Sequence, residues 1–338
     1  MNFYTSIFNP TFNPKKWGTL VLLLCFSLIG FLGIFNYIID PYDVTKHNFL
    51  HIRYKFANDD RTEKVNYFAS LKPVDNILIG SSRVYSIDPK TVSQEFNGST
   101  YNFGVGTATV EDSLGILIYL KRNHKLPKRI FLGVDLYTLN SDLPINKYFL
   151  RNKELNFLTN PNNTSQMNWS HLLSLDATRA SFKTLNHHLF PDKNAVPRFT
   201  KEGQGYSPEW SDLKTHELLT TKEANEFFVN SYSNGEYKRL DPTRLNYLLQ
   251  IRDICKRENI ELYVFTTPLH PILLQKIQHS DVKYAMSELD RFLSTHFQHF
   301  HNFYSDTNFT NDLKNFSGAT HSTNKAGDLI IMSIKNQS

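Results

Sequence analysis

The apolar and polar positions divide the chain into one long uncharged block, a series of short β-branched runs alternating with helical stripes, and a polar interruption. The block is WGTLVLLLCFSLIGFLGIFNYII, residues 17–39, without a charged side chain. At about 1.5 Å per helical residue it is long enough for a hydrocarbon core of about 30 Å, which predicts a transmembrane helix. Trp17 and Tyr37 stand near its ends, Lys15 and Lys16 precede it, and Asp40 and Asp43 follow it, an arrangement that leaves the N-terminus in the cytoplasm. Lys46, Arg53 and Lys55 on the far side dilute that asymmetry. Against a cleaved signal peptide, no Ala-x-Ala site follows, and Leu24 before Cys25 is not the small residue a lipoprotein signal requires. The expected organisation is a cytoplasmic segment 1–16, a span 17–39, a polar juxtamembrane segment 40–70 and a main domain 71–338.

In the main domain the periodicity predicts strands at NILIG (76–80), TYNFGV (100–105), RIFLGVD (129–135), ELYVFTTP (261–268) and FHNFYSD (300–306). Helical spacing predicts helices at 110–122, 245–257, 282–297 and 323–335. Strands alternating with helices argue for βαβ units around a mainly parallel sheet. Ligands of such sheets bind beyond the carboxyl ends of the strands, where Ser81, Ser82, Asp135, His270 and His321 all fall. The alternation fails over about 141–243, rich in Asn, Ser, Thr and Lys, and a structureless loop of that length is uncommon in a compact domain. A mainly helical insertion is expected, with helical character at 170–185 and 211–232, serving as a substrate-reading cap or as a separate packing subdomain.

Composition narrows the function. With 40% hydrophobic and 20% charged residues, the 338-residue chain is globular. Its +5 charge comes from 37 basic and 32 acidic residues with no basic block to track a phosphate backbone, which argues against nucleic-acid binding. Cys25 and Cys255 are too few for a disulfide framework, and Cys25 lies in the predicted span.

The candidate chemistry starts at Gly80-Ser81-Ser82-Arg83, where a strand end presents hydroxyls and backbone N–H groups together. A serine nucleophile needs a base to take its proton and donors to meet the oxyanion that develops. The Gly-rich NFGVGT, 102–107, offers further N–H groups, and His321, just before the last helix, offers the base. In order and spacing these segments resemble the SGNH/GDSL hydrolase superfamily, over roughly 75–335 apart from the insertion. The resemblance implies a three-layer α/β/α sandwich with a five-stranded sheet, Ser82 as nucleophile, His321 as base, and oxyanion donors at Ser82 and at Gly106 or Thr107. Gly133 to Asp135 looks like the family's Gly-x-Asn block and Gly318 to His321 like its Asp-x-x-His block. Together with an N-terminal anchor, the pattern resembles the membrane-tethered branch that includes alginate acetylation and teichoic-acid D-alanylation proteins. That implies O-acyl transfer or ester hydrolysis on a cell-envelope polysaccharide, on the periplasmic or extracellular side of the cytoplasmic membrane. The acyl donor would be handed over by a multispanning membrane acyltransferase, and no metal or organic cofactor is required.

Three positions depart from the family pattern. Gly318 stands where the carboxylate that orients the histidine belongs, so a backbone carbonyl such as that of Ser317 is the expected substitute. Asp135 stands at the oxyanion Asn position, where it would be neutral through burial, orient His321, or bind substrate hydroxyls. Without a gap, Thr107 rather than Gly106 aligns with the oxyanion glycine. These departures motivate the alternative of a catalytically inactive glycan-binding or scaffold module. Among the remaining residues, Arg83 is expected either to grip an anionic group of the substrate or to form a structural ion pair. His270 is expected as a surface-loop histidine, or else as a substrate contact, and Arg61 and Lys64 as solvated charges. His296, His299 and His301 face different directions across a helix-to-strand junction, so no metal site is expected from them.

Overall fold

The structure is a computed structural model that describes residues 14–42, 49–52, 55, 59–158, 172–190, 199–205 and 216–337. Within these it contains α1 (Pro14–Ile39), α2 (Asp60–Ser70), β1 (Asn76–Ile79), α3 (Pro89–Phe96), β2 (Thr100–Asn102), α4 (Val110–Arg122), β3 (Arg129–Val134), α5 (Lys147–Arg151) and α6 (Leu175–Leu189). There follow α7 (His216–Ser231), α8 (Pro242–Arg257), β4 (Glu261–Thr266), α9 (Pro271–Gln278), α10 (Val282–His296), β5 (His299–Asn302), α11 (Thr307–Thr310) and α12 (Asn324–Asn336). Two compact units are formed, one from the described parts of 1–62 and 162–195, the other from those of 63–161 and 196–338.

The larger unit is built on a five-stranded, all-parallel sheet in the order β2-β1-β3-β4-β5. Alternate side chains of its strands enter two cores. Ile77, Ile79, Ile130, Leu132 and Val264 join Leu114, Leu117, Leu248, Leu289 and Leu293 of α4, α8 and α10. Leu78, Phe131, Tyr263 and Phe265 join Val92 and Phe96 of α3 and Ile330, Ile331 and Ile334 of α12. Both faces are therefore covered, as a parallel sheet requires. Helix starts follow from local chemistry. Asp88 and Asp241 cap α3 and α8 ahead of Pro89 and Pro242. The Asp112 carboxylate accepts the Thr109 N–H at 2.8 Å to close the first turn of α4.

Most predicted elements recur with displaced ends. β2 stops at Asn102, yet the chain still leans on β1 beyond it, Phe103 N–H donating to Leu78 O at 2.8 Å and Val105 N–H to Gly80 O at 3.0 Å. β5 runs His299–Asn302 rather than 300–306, because the Asn302 side chain accepts the Tyr304 N–H at 2.9 Å and folds the chain into a turn.

The expected juxtamembrane segment is corrected. Its second half is α2, whose Val65 and Phe68 lie in the main core, so the main domain begins near residue 63 rather than 71. Arg61 and Lys64, expected as solvated, are each 1% exposed. The Lys64 ammonium donates to Asn102 O and Gly203 O, both at 2.8 Å, and lies 4.3 Å from the centre of the Phe199 ring, so two carbonyls and an aromatic face replace water around a buried charge.

In the smaller unit α1 carries a run, Lys15–Ile39, with the length and composition of a membrane span or a signal sequence. Leu22, Phe26 and Phe31 are exposed along it. Near its end the Asn36 amide donates to Leu172 O and Thr178 Oγ1, and the Phe35 and Phe182 rings lie 4.8 Å apart, which ties α1 to α6. The helical character expected in the insertion recurs as α6 and α7. The predicted helical stretches 170–185 and 211–232 begin in 170–171 and 211–215, outside the described residues.

Candidate active site

The connections β1-α3-β2 and β3-α8-β4 run on opposite faces, so the sheet changes direction between β1 and β3, a topological switch point of the kind where doubly wound sheets open a crevice. At the end of β1, Ser82–Val84 form a single 3₁₀ turn, capped by Ser81 Oγ accepting the Arg83 N–H at 3.2 Å. Val84, fully buried, seats this turn. A Cβ at Gly80 would lie 2.8 Å from Val84 Cγ1 and one at Gly133 only 2.6 Å, and a Cβ at Gly104 would also collide with Val84. Three strand-end glycines thus make the notch that Val84 fills. The Asn102 side chain fixes the same corner, accepting the Gly104 N–H at 3.0 Å and donating to Val84 O at 2.7 Å. As a result Ser81 and Arg83 turn inward, at 2% and 3% exposure, while Ser82 remains half-buried at the rim.

His321 arrives 239 positions later, in the loop before α12. A bridge between Phe316 and Ser322 closes that loop, and the Ser86 and Ser322 hydroxyls, 2.9 Å apart, hold it over the β1 turn. Ser82 Oγ and His321 Nε2 are then 3.0 Å apart. On the other side of the ring, Nδ1 lies 3.1 Å from Thr320 Oγ1. The Thr320 hydroxyl donates in turn to the Glu223 carboxylate of α7 at 3.3 Å, and the Ala319 N–H donates to the same carboxylate at 2.9 Å. The partner expected from sequence, a Ser317 carbonyl, is replaced by a hydroxyl, while Ser317 N–H donates to His321 O at 3.1 Å. Burial pushes the imidazole down to about 4, with the Arg83 charge acting in the same direction and Asp135 opposing both. At neutral pH the ring is uncharged and able to accept a proton.

Beneath this rim lies an ionic floor. Arg83 Nη1 donates to Asp135 Oδ1 at 3.2 Å and to Thr267 Oγ1 at 3.4 Å, and Thr267 Oγ1 hydrogen-bonds the same Asp135 oxygen. The guanidinium carbon lies 5.0 Å from the ring centres of both Tyr137 and Phe227. Burial disfavours the Arg83 charge, but Asp135 together with the surrounding Tyr232, Tyr137 and Tyr304 outweighs it and holds the guanidinium above its ordinary value. The pair stitches together the ends of β1, β3 and β4.

These contacts correct the expectation for Asp135 and decide between the two readings of Arg83. Asp135 is 2% exposed and bound to Arg83 and Thr267, so it is placed as a buried counter-ion rather than as an orienter of His321 or a ligand for substrate hydroxyls. Arg83 takes the structural ion pair and is not an exposed anion grip. His270 is also corrected. It is 5% exposed, its Nδ1 accepts the Ile272 N–H at 3.2 Å to cap α9, and its own N–H donates to Ala319 O at 3.1 Å, which braces the histidine loop from behind. Gly106 is partly exposed and Thr107 exposed. Thr107 sits in the left-handed region at φ 48°, rare for a β-branched residue, where Asn146 Nδ2 holds its carbonyl at 3.0 Å and its hydroxyl at 2.8 Å. Of the three histidines 296, 299 and 301, His301 is engaged by Gln337 at 2.8 Å and Asp306 at 3.3 Å.

Thr320, Glu223, Thr267 and Asn146 escaped the sequence reading. Thr320 is adjacent to His321, and its hydroxyl was the available signal. Glu223 is 97 positions from Thr320, in a polar stretch whose charges look alike. No protein-family model matches the chain, and no curated protein matches it.

Proposed function

We propose that this chain is a membrane-anchored, SGNH-like serine acyltransferase or esterase that acts on O-acyl groups of a cell-envelope polysaccharide. The observation that carries the reading is the 3.0 Å approach of Ser82 Oγ to Nε2 of a His321 ring that is uncharged at neutral pH, at the carboxyl end of β1 beside the switch point. In the first step the Oγ–H bond breaks, its proton passes to Nε2, and Oγ forms a bond to the acyl carbonyl carbon. The oxyanion is met by the Ser82 N–H, which as the first donor of its turn has no intrahelical acceptor. Collapse breaks the bond to the leaving oxygen, which takes the proton from Nε2. A glycan hydroxyl, or water in the esterase case, then gives its proton to Nε2 and attacks the acyl-serine, and Ser82 is restored.

The anchor supports the setting. Read as a single-pass span, α1 has Lys15 and Lys16 on the cytoplasmic side and Asp40 on the other, which puts the α/β domain in the periplasmic or extracellular space beside envelope glycan. There a multispanning membrane partner would deliver the acyl group. The test is the acyl content of surface polysaccharide in a strain carrying Ser82→Ala at the native locus. The expected result is loss of one ester class with protein level unchanged, and an unaltered acyl profile would remove the enzymatic reading.

A further inference from the structure

We infer that Glu223, on α7 of the insertion, is the carboxylate that orients His321, acting through the Thr320 hydroxyl from the space that a side chain at position 318 would need. The inference deepens the Ser82–His321 reading and rests on it for what the imidazole does, although its test does not. A Cβ at Gly318 would lie 2.5 Å from Glu223 Oε2. Glycine at that position and the carboxylate beside it are therefore two sides of one arrangement. The acid comes from α7 instead of the histidine loop, and the loop gives up a side chain to admit it.

Hydrogen-bond direction makes Glu223 more than a neighbour. A carboxylate accepts and never donates, and the Thr320 hydroxyl has one proton. Held 3.3 Å from Glu223 Oε1, that proton is committed to the carboxylate, so a lone pair of Oγ1 is left for the ring nitrogen 3.1 Å away. Nδ1 must then carry the ring hydrogen, which leaves Nε2 bare opposite Ser82 Oγ. The second Glu223 oxygen accepts the Ala319 N–H at 2.9 Å and fixes the carboxylate in place. Take away the charge and the chain can reverse. A glutamine whose oxygen kept the Ala319 N–H would present its NH₂ to Thr320, the threonine proton would turn to Nδ1, and Nε2 would hold the hydrogen and could not take one from serine. Glu223 is thus a positioning residue, carried to the histidine loop by α7.

The experiment uses full-length protein in detergent micelles with ¹⁵N-labelled histidine rings, His321 being assigned as the signal absent from His321→Gln. Long-range ¹H–¹⁵N correlation reads the tautomer directly. In the wild type His321 is expected as the Nδ1–H form, with Glu223→Gln and Thr320→Val moving it to Nε2–H and Thr320→Ser restoring it. Phosphonylation of Ser82 by a fluorophosphonate should fall in the first two variants on the order of 10²- to 10⁴-fold, the usual range for a general base, and recover in Thr320→Ser. If Glu223→Gln does not fold, Thr320→Val decides. A wild-type Nε2–H form, or a tautomer unchanged in the folded variants, overturns the inference. A tautomer that behaves as expected in a protein that never takes up the probe leaves the orientation by Glu223 standing and removes the proposed nucleophile instead.

Discussion

Ser82 and Arg83 are neighbours in sequence and opposites in fate. Ser82 stands half-buried at a rim, 3.0 Å from a histidine, where its hydroxyl can meet an incoming group. Arg83 drops into a floor where Asp135, Thr267 and two aromatic rings enclose it. One 3₁₀ turn produces both, because consecutive side chains on it diverge. The rim presents a hydroxyl beside an imidazole and the floor holds three strand ends together, so substitutions in the two should fail in different ways.

The largest separation is expected from single removals on each side. Ser82→Ala should abolish phosphonylation while leaving the free energy of urea unfolding within about 0.5 kcal/mol of the wild type, as for surface changes. Asp135→Ala leaves Arg83 as an uncompensated buried charge and should cost about 3–5 kcal/mol in the same assay. A stability loss in Ser82→Ala matching that of Asp135→Ala would erase the distinction between rim and floor. Next in size, Gly133→Ala places a methyl 2.6 Å from Val84 Cγ1 and should destabilise by about 1–3 kcal/mol. Pairing it with Val84→Ala should give less than the sum of the two single losses, since both act on one notch, and strict additivity would mean the notch is not what seats the turn.

A further effect, read in pH, bears on the rim alone. His321 is held at about 4 in the folded chain against an ordinary 6.5, so as pH falls the unfolded chain takes up this proton first. Its contribution to stability is complete above about pH 6.5, declines between 6.5 and about 4, and changes no further below. A pH series of urea midpoints, wild type against His321→Gln, should differ in slope only across that window. The acid limb of phosphonylation should likewise centre near pH 4, and a limb at 6.5 would show an imidazole in ordinary solvent.

Much of this arrangement is legible in the sequence. The βαβ rhythm placed the five strands, and α4 matches its expected span to the residue because Thr109 with Asp112 marks its start. Ser82 and His321 were legible because a strand end and a helix start announce themselves locally. What stayed hidden depends on partners far along the chain. Lys64 has the spacing of a solvated helix face, and only Asn102 and Gly203, 38 and 139 positions away, make it a buried cation. His270 precedes a proline, a helix-start signal, but nothing local says that its backbone braces Ala319. The pairings of Arg83 with Asp135 and of Glu223 with Thr320 are of the same kind, polar contacts whose selection needs the closed fold.

Activation of Ser82 by His321 is read out by intact-mass analysis of the full-length protein after fluorophosphonate treatment. A single adduct is expected that maps to Ser82, is missing in Ser82→Ala and is strongly slowed in His321→Gln. An adduct that persists in Ser82→Ala, or forms at the wild-type rate without the imidazole, would contradict it.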